Sequence, residues 1–498
     1  MSIWNRAPKS DRVFFVASIG LLVLSVFMVG LEDRKIHAST EDEEFYRFVD
    51  VAAEVYSEIK TKFVDDIESR VVLEGALSGM FNVLDEHSQY MTPDMLKSLE
   101  RDTSGEFSGI GIHITKRQNV LTVIAPIPGS PAAKAGLLPW DRIIEIEGKT
   151  TEDLDIQEAV KMLTGPTGTK VTFKVYRAGE PEPLEFTLVR ASVEVKSVFG
   201  QMLDDQIGYV RVSRFSENTS RDVRKFVLDF RSEGMKGLII DLRLNTGGLL
   251  TEAITMSELF VPKDSVIVST KGRLRNQNRE YRSENDPVVT DLPIFVLVNE
   301  ASASASEIVA GALQDLGVAV IIGPTGKNTF GKGSVQTIGQ LTHSMVDDEN
   351  GNELSSAIRL TTARYYTPSG RTIHHIGITP DISVPLTEKH EIELIRHGLL
   401  GDVNTGEDYK LPEDYNKPKD PDAEPTPTPT PEPTPVPDPN KPFYDVPVPE
   451  TLQEDDFVDV MLEEAKKQMK IYLILKDKTK TQVAEKIGSE QLSVILGE

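Results

Sequence analysis

The spacing of apolar residues changes along the chain, and each change marks a predicted domain boundary. Between residues 41 and 100, apolar positions such as Phe45, Phe48 and Val51 recur at helical spacing and predict an amphipathic arm. From Gly105 to Arg190, short apolar runs alternate with glycine- and proline-rich turns, which predicts a small β-barrel-like module with one helix at Ile156–Leu163. From 192 to 400, wholly apolar strands alternate with helices, which is typical of a largely parallel α/β core.

The predicted fold class is therefore a multidomain α/β protein. Residues 411–450 hold 14 of the chain's 30 prolines and predict an extended spacer, after which helical spacing returns. The arm is a candidate surface for a homodimer, and packing on its own chain is the alternative. The predicted parts are a cytoplasmic stub and signal-anchor helix (1–38), a helical arm (39–102), the β-rich module (103–191), the α/β core (192–400), a linker rich in Pro, Thr and Asp (401–450) and a C-terminal helical segment (451–498).

The N-terminus predicts a single membrane span. Val13–Leu31 is a run of 19 residues without a charge, and Arg6, Lys9 and Arg12 precede it. Such a run can cross a bilayer as a helix, with its basic flank held in the cytoplasm. We therefore expect the chain to reside in the cell membrane with its catalytic part on the extracytoplasmic side. A cleaved signal peptide that releases the protein is the alternative.

The charge and the composition exclude several functions. The formal net charge of −24 argues against nucleic acid as a partner, because phosphates would be repelled. With no cysteine, the chain has no disulfide, no thiol nucleophile and no thiolate metal site. The sequence shows neither an H-x-x-x-H motif nor a carboxylate cluster, so we predict no metal, and nothing in it calls for a cofactor.

The stretch Asn299–Gln336 carries the candidate chemistry. An apolar strand leads into three serines that alternate with alanine, Ser302, Ser304 and Ser306, and a helical run follows them. A hydroxyl at a helix N-terminus is well placed for a nucleophile, because free N–H groups there stabilise developing negative charge. Lys332, in a glycine-rich loop further on, is a candidate base, and a lysine accepts a proton only where burial favours the neutral amine.

The module before the core resembles a PDZ domain. Its segment FSGIGI, followed by GSPAAKAGLLPWDRIIEIEGK, is similar to the carboxylate-binding loop of bacterial PDZ modules and the region after it. The resemblance implies that backbone N–H groups of this loop bind the terminal carboxylate of a protein tail, while the next strand pairs with that tail. The implied peptide-binding residues are Phe107, Gly109, Ile110, Gly111 and Ile112.

Three motifs in order, DLRLNTGG, SASASE and TFGKGSVQ, resemble the carboxyl-terminal processing, or tail-specific, proteases. The resemblance implies an α/β core of the ClpP/crotonase-like kind and a serine peptidase with a Ser–Lys pair. In this sequence Ser304 matches the nucleophile, Lys332 the general base and Gln336 the residue that orients the lysine. If Lys332 begins a helical turn, the four-residue spacing puts Gln336 on the same face. The apolar Phe330 and Val335 suit a dry site.

The same resemblance implies an oxyanion hole. Its donors would be the N–H of Ala305 and an N–H of the Gly247-Gly248 turn, with Gly247 as the first choice. Two features depart from the family pattern. Ser304 and Lys332 are 28 positions apart, a wider spacing than the family usually has, and the extra residues fall in Pro324–Asn328. Thr164 also stands where family PDZ domains often carry an arginine.

Simpler roles compete for several of these residues. Ser302 and Ser306 suit turn and helix-cap positions, Glu307 a first-turn carboxylate, and Asp315 a solvent contact at a helix end. Asp241 and Arg243 suit structural contacts beneath the glycine turn. Lys327 is the alternative base, but its neighbours Gly326 and Asn328 are typical of an exposed loop. His374-His375 is an alternative partner for the serine, but no motif supports it.

The prediction is therefore a membrane-anchored serine endopeptidase that binds protein C-terminal tails and cuts them by Ser304/Lys332 acyl transfer. A catalytically silent PDZ adaptor is the first alternative, although a scaffold needs none of Ser304, Lys332 and Gln336. A crotonase-like enzyme acting on small thioesters is the second.

Overall fold

The computed structural model describes residues 40–117, 119–343, 347, 354–387, 390–391, 394 and 458–487. The predicted anchor at 13–31 and the predicted linker at 401–450 lie outside these residues. Within them, no helix combines the length and the apolar character that a membrane span requires. The chain divides at Tyr90/Met91 into two compact units, which are described separately.

The first unit contains the helices α1 (Thr40–Lys62) and α2 (Ser69–Phe81). Helix α2 buries none of its residues, and large apolar side chains of α1 such as Phe45 and Phe48 are exposed. The hydroxyl of Tyr56 donates to Ser69 Oγ at 2.7 Å and links the two helices. The region is helical as the spacing predicts, and a homodimer through it stays a prediction.

The second unit begins with a β-rich module. Its strands are β2 (Glu106–Gly109), β3 (Ile112–Arg117), β4 (Val120–Pro126), β5 (Arg142–Ile146), β6 (Lys149–Thr150), β7 (Lys170–Tyr176), β8 (Leu184–Val189) and β9 (Ala191–Glu194), and its helices are α3 (Pro93–Ser104), α4 (Pro131–Lys134) and α5 (Ile156–Leu163). Strand β1 (Gln89–Met91) precedes them. The sheet order is β3-β4-β5-β7-β8, with β6 beside β5, and β2 pairs separately with β9. Asp155 caps α5 by accepting from the N–H of Gln157, and the module has an apolar core of its own.

The α/β core is built on a six-stranded sheet of order β10-β11-β12-β15-β16-β19. Strand β10 is antiparallel to β11, and every other pair is parallel. The predicted α/β core is thus confirmed, because wholly apolar strands such as Ile294–Leu297 are covered on both faces. Its strands are β10 (Val198–Leu203), β11 (Ile207–Val212), β12 (Gly237–Asp241), β15 (Ile294–Leu297), β16 (Ala319–Pro324) and β19 (Ile382–Val384).

Helices cover the two faces of this sheet separately. On one face α6 (Thr219–Ser232), α7 (Leu250–Glu258) and α8 (Ala305–Asp315) contribute to a large core. On the other face α9 (Val460–Ile487) packs its Met461, Ala465 and Met469 against the strands. A second, antiparallel sheet joins β13 (Val266–Gly272), β14 (Arg279–Arg282), β17 (Ser334–Gln340) and β18 (Ala357–Tyr366).

Candidate active site

The β-rich module has a groove beside the loop that the sequence singles out. The groove has a volume of about 220 Å³, and Ile110, Gly111 and Ile112 line it opposite Val160 and Leu163 of α5. Gly111 has φ 77°, and a Cβ there would lie 2.3 Å from the Cβ of Ser130, so only glycine fits. An apolar groove between a strand and a helix, closed by a glycine loop, suits an extended peptide tail.

Phe107 and Gly109 lie on β2 rather than in that loop. Phe107 lines the groove, whereas Gly109 forms a bridge to Thr164 at the end of α5. The structure places two cations at the groove that the sequence analysis missed. Arg101 of α3 and Arg214, in the loop after β11, both line it, together with the acidic Asp102. Burial, and then the charge of Arg214, lower the pKa of His113 on β3.

The serine turn lies between β15 and α8. Ser304 has φ 55° and ψ −110°, a region that side-chain-bearing residues rarely adopt, and Ala305 begins the helix. Such strain is held only where the surroundings fix the backbone, and it is common at functional sites. Ser304 is half-buried, whereas Ala305 is buried, so the helix N-terminus meets the serine in a place sheltered from water.

Glu307 joins the serine turn to the lysine loop. Its side chain is fully buried and accepts four hydrogen bonds. Oε2 accepts from the backbone N–H of Ser304 at 2.8 Å and of Lys332 at 2.9 Å. Oε1 accepts from the hydroxyl of Thr329 at 2.6 Å and from the N–H of Gly331 at 2.7 Å. One oxygen atom therefore holds the backbones of both residues of the predicted catalytic pair.

The charge of Glu307 is under opposing influences. Burial raises the pKa of its carboxyl, because the ionised form loses hydration, and the hydrogen bonds from Thr329, Gly331, Ser304 and Lys332 pull it back. The net direction is upward. Glu307 lies in the first turn of its helix, as expected. The expectation misses the hydrogen bond that Glu307 accepts from Lys332, 25 residues further along the chain in the lysine loop.

Gln336 is on a strand, so the expected helical turn from Lys332 is wrong. The N–H of Gly333 donates to the carbonyl of Gly331, and β17 then begins at Ser334, with a bulge between Val335 and Gln336. The Gln336 amide donates to Ser334 Oγ at 2.9 Å and to Thr361 Oγ1 at 3.3 Å. Phe330 is 57% exposed, which does not fit the dry surroundings that the sequence suggests for it. The role of Gln336 in orienting Lys332 stays a prediction.

The glycine turn after β12 lies directly against the serine. A Cβ on Gly247 would be 2.8 Å from the carbonyl oxygen of Ala303 and 2.8 Å from Ser304 Cβ. The N–H of Gly247, however, donates to Asn245 Oδ1 at 2.9 Å. Because that N–H is already engaged, Gly248 is the better candidate for the second oxyanion donor. Gly247 is the first choice from the sequence, and Gly248 replaces it.

Asn245 is a residue that the sequence analysis missed. Its side-chain amide donates to the carbonyl of Val212 at 2.8 Å. Its own carbonyl accepts from the N–H of Ala303 at 3.0 Å and from Ser306 Oγ at 2.9 Å. Ser306 thus braces the glycine turn instead of capping its own helix. Ser302 has a turn role as expected, since its hydroxyl accepts from the N–H of Asn299 and donates to the carbonyl of Leu242.

Substituting the glycines should disable the turn. A Cβ on Gly248 would lie 2.1 Å from the carbonyl oxygen of Phe215, and the residue has φ 145°. We expect Gly248→Ala to lower the free energy of unfolding by about 3 kcal/mol or more and to remove activity, because backbone must move. Gly326→Ala is the matched control, since Gly326 has φ 75° but open space around it, and should cost about 1 kcal/mol. Chemical denaturation measures both, and equal losses would contradict the prediction.

The alternative catalytic residues have other roles in the structure. Lys327 Nζ bonds Glu300 Oε1 at 2.6 Å and Glu391 Oε1 at 2.7 Å, and these hydrogen bonds raise its pKa, which makes it a poor base. The backbone of His375 donates to the carbonyl of Gly331, so the histidine segment supports the lysine loop. Asp315 is 6% exposed and accepts from the N–H of Ser369, so the expected solvent contact is wrong. In the described part of the chain, no group of three or more His, Asp or Glu is placed to hold a metal ion.

The β-rich module has a groove that suits an extended peptide, and the α/β core has a strained serine at a helix N-terminus. Together these two features are typical of a peptide-binding hydrolase. The profile of Peptidase family S41 matches residues 206–384, and that of the PDZ domain matches residues 122–177. The carboxy-terminal-processing protease of Bartonella bacilliformis is 40% identical over 385 residues, which are 76% of this chain and 84% of that protein. The carboxy-terminal processing protease CtpA of Bacillus subtilis is 34% identical over 76% of this chain and 78% of its own length. The chain therefore belongs to peptidase family S41 and, like the carboxy-terminal-processing proteases, is a serine peptidase with a PDZ domain.

Proposed function

We propose that this chain is a membrane-anchored endopeptidase that binds the C-terminal tails of exported proteins and hydrolyses their peptide bonds with a Ser304–Lys332 pair. The observation that carries the proposal is the single oxygen of Glu307 that accepts from the N–H groups of both residues. A silent scaffold would have no need to link a strained serine to a lysine loop through a fully buried carboxylate.

In this proposal Ser304 Oγ attacks the carbonyl carbon of the scissile bond while the neutral amine of Lys332 takes the hydroxyl proton. The N–H groups of Ala305 and Gly248 donate to the oxyanion that forms. Lys332 then gives the proton to the leaving amine as the C–N bond breaks, and an acyl-enzyme remains. Water attacks the ester with Lys332 again as base, and collapse of this intermediate releases the new C-terminus and returns the serine hydroxyl.

The most direct test is to identify the peptides produced. Wild type and Ser304→Ala, both lacking residues 1–38, are incubated with unfolded protein substrates, and the products are read by mass spectrometry. We expect cuts that appear only with the wild type and only in substrates with an accessible C-terminal tail. An identical peptide set from both proteins would refute the serine mechanism, and the absence of any product would favour the adaptor alternative.

Arg214 is expected to favour tails that end in a free carboxylate. A hydrogen bond between charged groups contributes about 1.5–3 kcal/mol, so a tail peptide should bind roughly tenfold or more better than its C-terminal amide. Arg214→Ala should reduce this ratio about tenfold. Titration of both peptides into the Ser304→Ala protein measures the ratio without cleavage. Arg221→Ala is the matched control, because Arg221 is exposed on α6 and pairs with Asp222. An unchanged ratio in Arg214→Ala would remove Arg214 from recognition.

The location and assembly in this proposal rest on sequence. The uncharged run at 13–31 and its basic flank support a single-pass anchor with the peptidase outside the cytoplasm. The exposed apolar residues of α1 support a homodimer through the arm. Protease accessibility of the catalytic part in intact cells tests the first, and the mass of the protein without residues 1–38 in solution tests the second.

A further inference from the structure

The C-terminal helix α9 lies far beyond the region matched by the peptidase profile, yet it contacts the base of the candidate active site. Asp459 precedes its first turn and forms a two-point bond with Arg243: Nη1 donates to Oδ1 at 2.7 Å and Nη2 to Oδ2 at 2.6 Å. The Arg243 side chain is 3% exposed and that of Asp459 is 19% exposed. A bidentate bond shielded from water in this way is strong and fixes the orientation of the guanidinium.

Arg243 is the last residue before the turn that carries the glycines. Its Nε also bonds both carboxylate oxygens of the fully buried Asp241, and Tyr209 donates its hydroxyl to Asp241 Oδ2 at 2.7 Å. Burial, the largest single influence, would raise the pKa of Asp241, but the charge of Arg243, its hydrogen bonds and the charge of Arg211 together outweigh burial, and the net direction is downward. The guanidinium of Arg243 is therefore bonded to two carboxylates, that of Asp241 at the end of β12 and that of Asp459 just before α9.

From Arg243 the chain runs directly into the residues that brace the serine. The N–H of Leu244, which has φ 61°, donates to Asn299 Oδ1 at 3.0 Å. Asn245 then holds Gly247 through its side chain and Ala303 through its carbonyl. A shift of Arg243 would consequently move the Gly247-Gly248 turn relative to Ser304.

The apolar face of α9 is closely fitted to the sheet. Met461, Ala465 and Met469 are almost completely buried, against Ile239 and Leu297 among others. A Cβ on Gly237 would lie 2.4 Å from Met469 Sδ, so β12 begins with a glycine where the helix needs the space. Outside this face, Lys470 pairs with Asp205 at 2.6 Å. The helix is thus an integral part of the core, although residues 401–457 separate it in sequence from the rest of the core.

We propose that Asp459, the residue that caps α9, is a positioning residue for peptide hydrolysis, which holds the oxyanion turn in place through Arg243. This inference rests on the proposed function, since it concerns the same serine site. It predicts that the C-terminal segment, which follows a proline-rich stretch in sequence, affects the turnover rate of the peptidase. Changes at Asp459 should leave tail binding at the PDZ groove unchanged.

Asp459 also caps its own helix by accepting from the N–H of Leu462 at 3.0 Å, so the test must separate the two roles. Asn and Ser are both good N-caps, and neither carries the charge that pairs with Arg243. In the otherwise intact protein, we expect Asp459→Asn and Asp459→Ser to lower kcat about 10²-fold, as a displaced site does, with little change in KM. Asp459→Glu should recover part of the rate. Glu463→Gln on the same helix, where Glu463 is exposed, is the matched control and should match wild type.

Amide hydrogen exchange supplies a readout that does not need activity. Peptides covering 243–249 should exchange faster in Asp459→Ser than in wild type, while those covering the PDZ groove should not change. Wild-type kcat and unchanged exchange in both the Asn and Ser variants would overturn the proposal. If the wild type itself cuts no protein, the proposed function fails, and the exchange comparison still decides whether Asp459 controls the turn.

Discussion

Alanine at Ser304 or at Lys332 should each reduce kcat by about 10⁴-fold or more, because loss of a nucleophile or of its base removes the covalent route. The two losses should not add in the double variant, since the residues act on one proton transfer. Binding of tail peptides should persist, because the PDZ groove is formed by other residues. Initial rates on a peptide containing an identified cleavage site, followed by titration of the tail, measure both effects.

Two lysine variants sharpen this expectation. Lys332→Arg keeps the positive charge but cannot accept a proton near neutral pH, so it should be as inactive as Lys332→Ala. Lys327→Ala is the matched control on the same loop, because Lys327 is tied up in ion pairs with Glu300 and Glu391 and should leave the rate near wild type. Near-normal turnover by Lys332→Arg would mean that the residue acts through its charge alone. Loss of activity in Lys327→Ala alone would move the base to that position.

The sequence predicts the α/β core well, because the spacing of apolar residues and the lengths of the apolar runs distinguish its strands from its helices. Strands such as Ile294–Leu297 are apolar throughout, which fits burial on both sheet faces. The serine run follows this strand at the point where a helix must start. The groove loop is likewise local, since its glycines follow one another in sequence. Both features can be predicted because neighbouring residues determine them.

What the sequence did not reveal depends on distant partners. Local spacing makes Gln336 look helical, but pairing of β17 with β18 places it on a strand. Which of Gly247 and Gly248 is the better oxyanion donor depends on the side chain of Asn245, which accepts from the N–H of Gly247. A pair of glycines in a sequence does not reveal that contact. Asp459 follows a proline-rich stretch, and only packing of α9 on the sheet brings it to Arg243. An acidic residue three positions after the candidate nucleophile was the one signal in the sequence for Glu307.

Glu307→Gln should give the second large effect, on both stability and catalysis. Each carboxylate oxygen of Glu307 accepts from two donors, whereas a glutamine amide has only one accepting oxygen. In either orientation of the amide, its NH₂ group would therefore face two of the four donors. Each buried donor left without a partner costs about 1–3 kcal/mol, so we expect the free energy of unfolding to fall by roughly 2–5 kcal/mol. The backbones of Ser304 and Lys332 lose their common anchor, and kcat should fall by about 10²-fold or more. Denaturant titration and initial rates measure the two effects.

Glu300→Gln is the matched control, because Glu300 is half exposed in its ion pair with Lys327 and should change stability by less than about 1 kcal/mol. Glu307→Asp separates charge from reach: it keeps the carboxylate on a shorter side chain that cannot meet all four donors. We expect it to fold better than Glu307→Gln but to remain slow. Wild-type rates in either Glu307 variant would show that the serine turn and the lysine loop hold their positions without this carboxylate.

The pH dependence of stability gives an independent check on the buried charge. Burial raises the pKa of Glu307, so the folded protein binds its proton more readily than the unfolded chain, whose ordinary value is about 4.3. The cost of keeping the carboxylate ionised is therefore fully present above the folded pKa and disappears as pH falls to the unfolded value. Glutamine does not titrate, so the stability gap between wild type and Glu307→Gln should widen on acidification. A gap that narrows as pH falls would mean that the four donors outweigh burial and that the folded pKa is lowered.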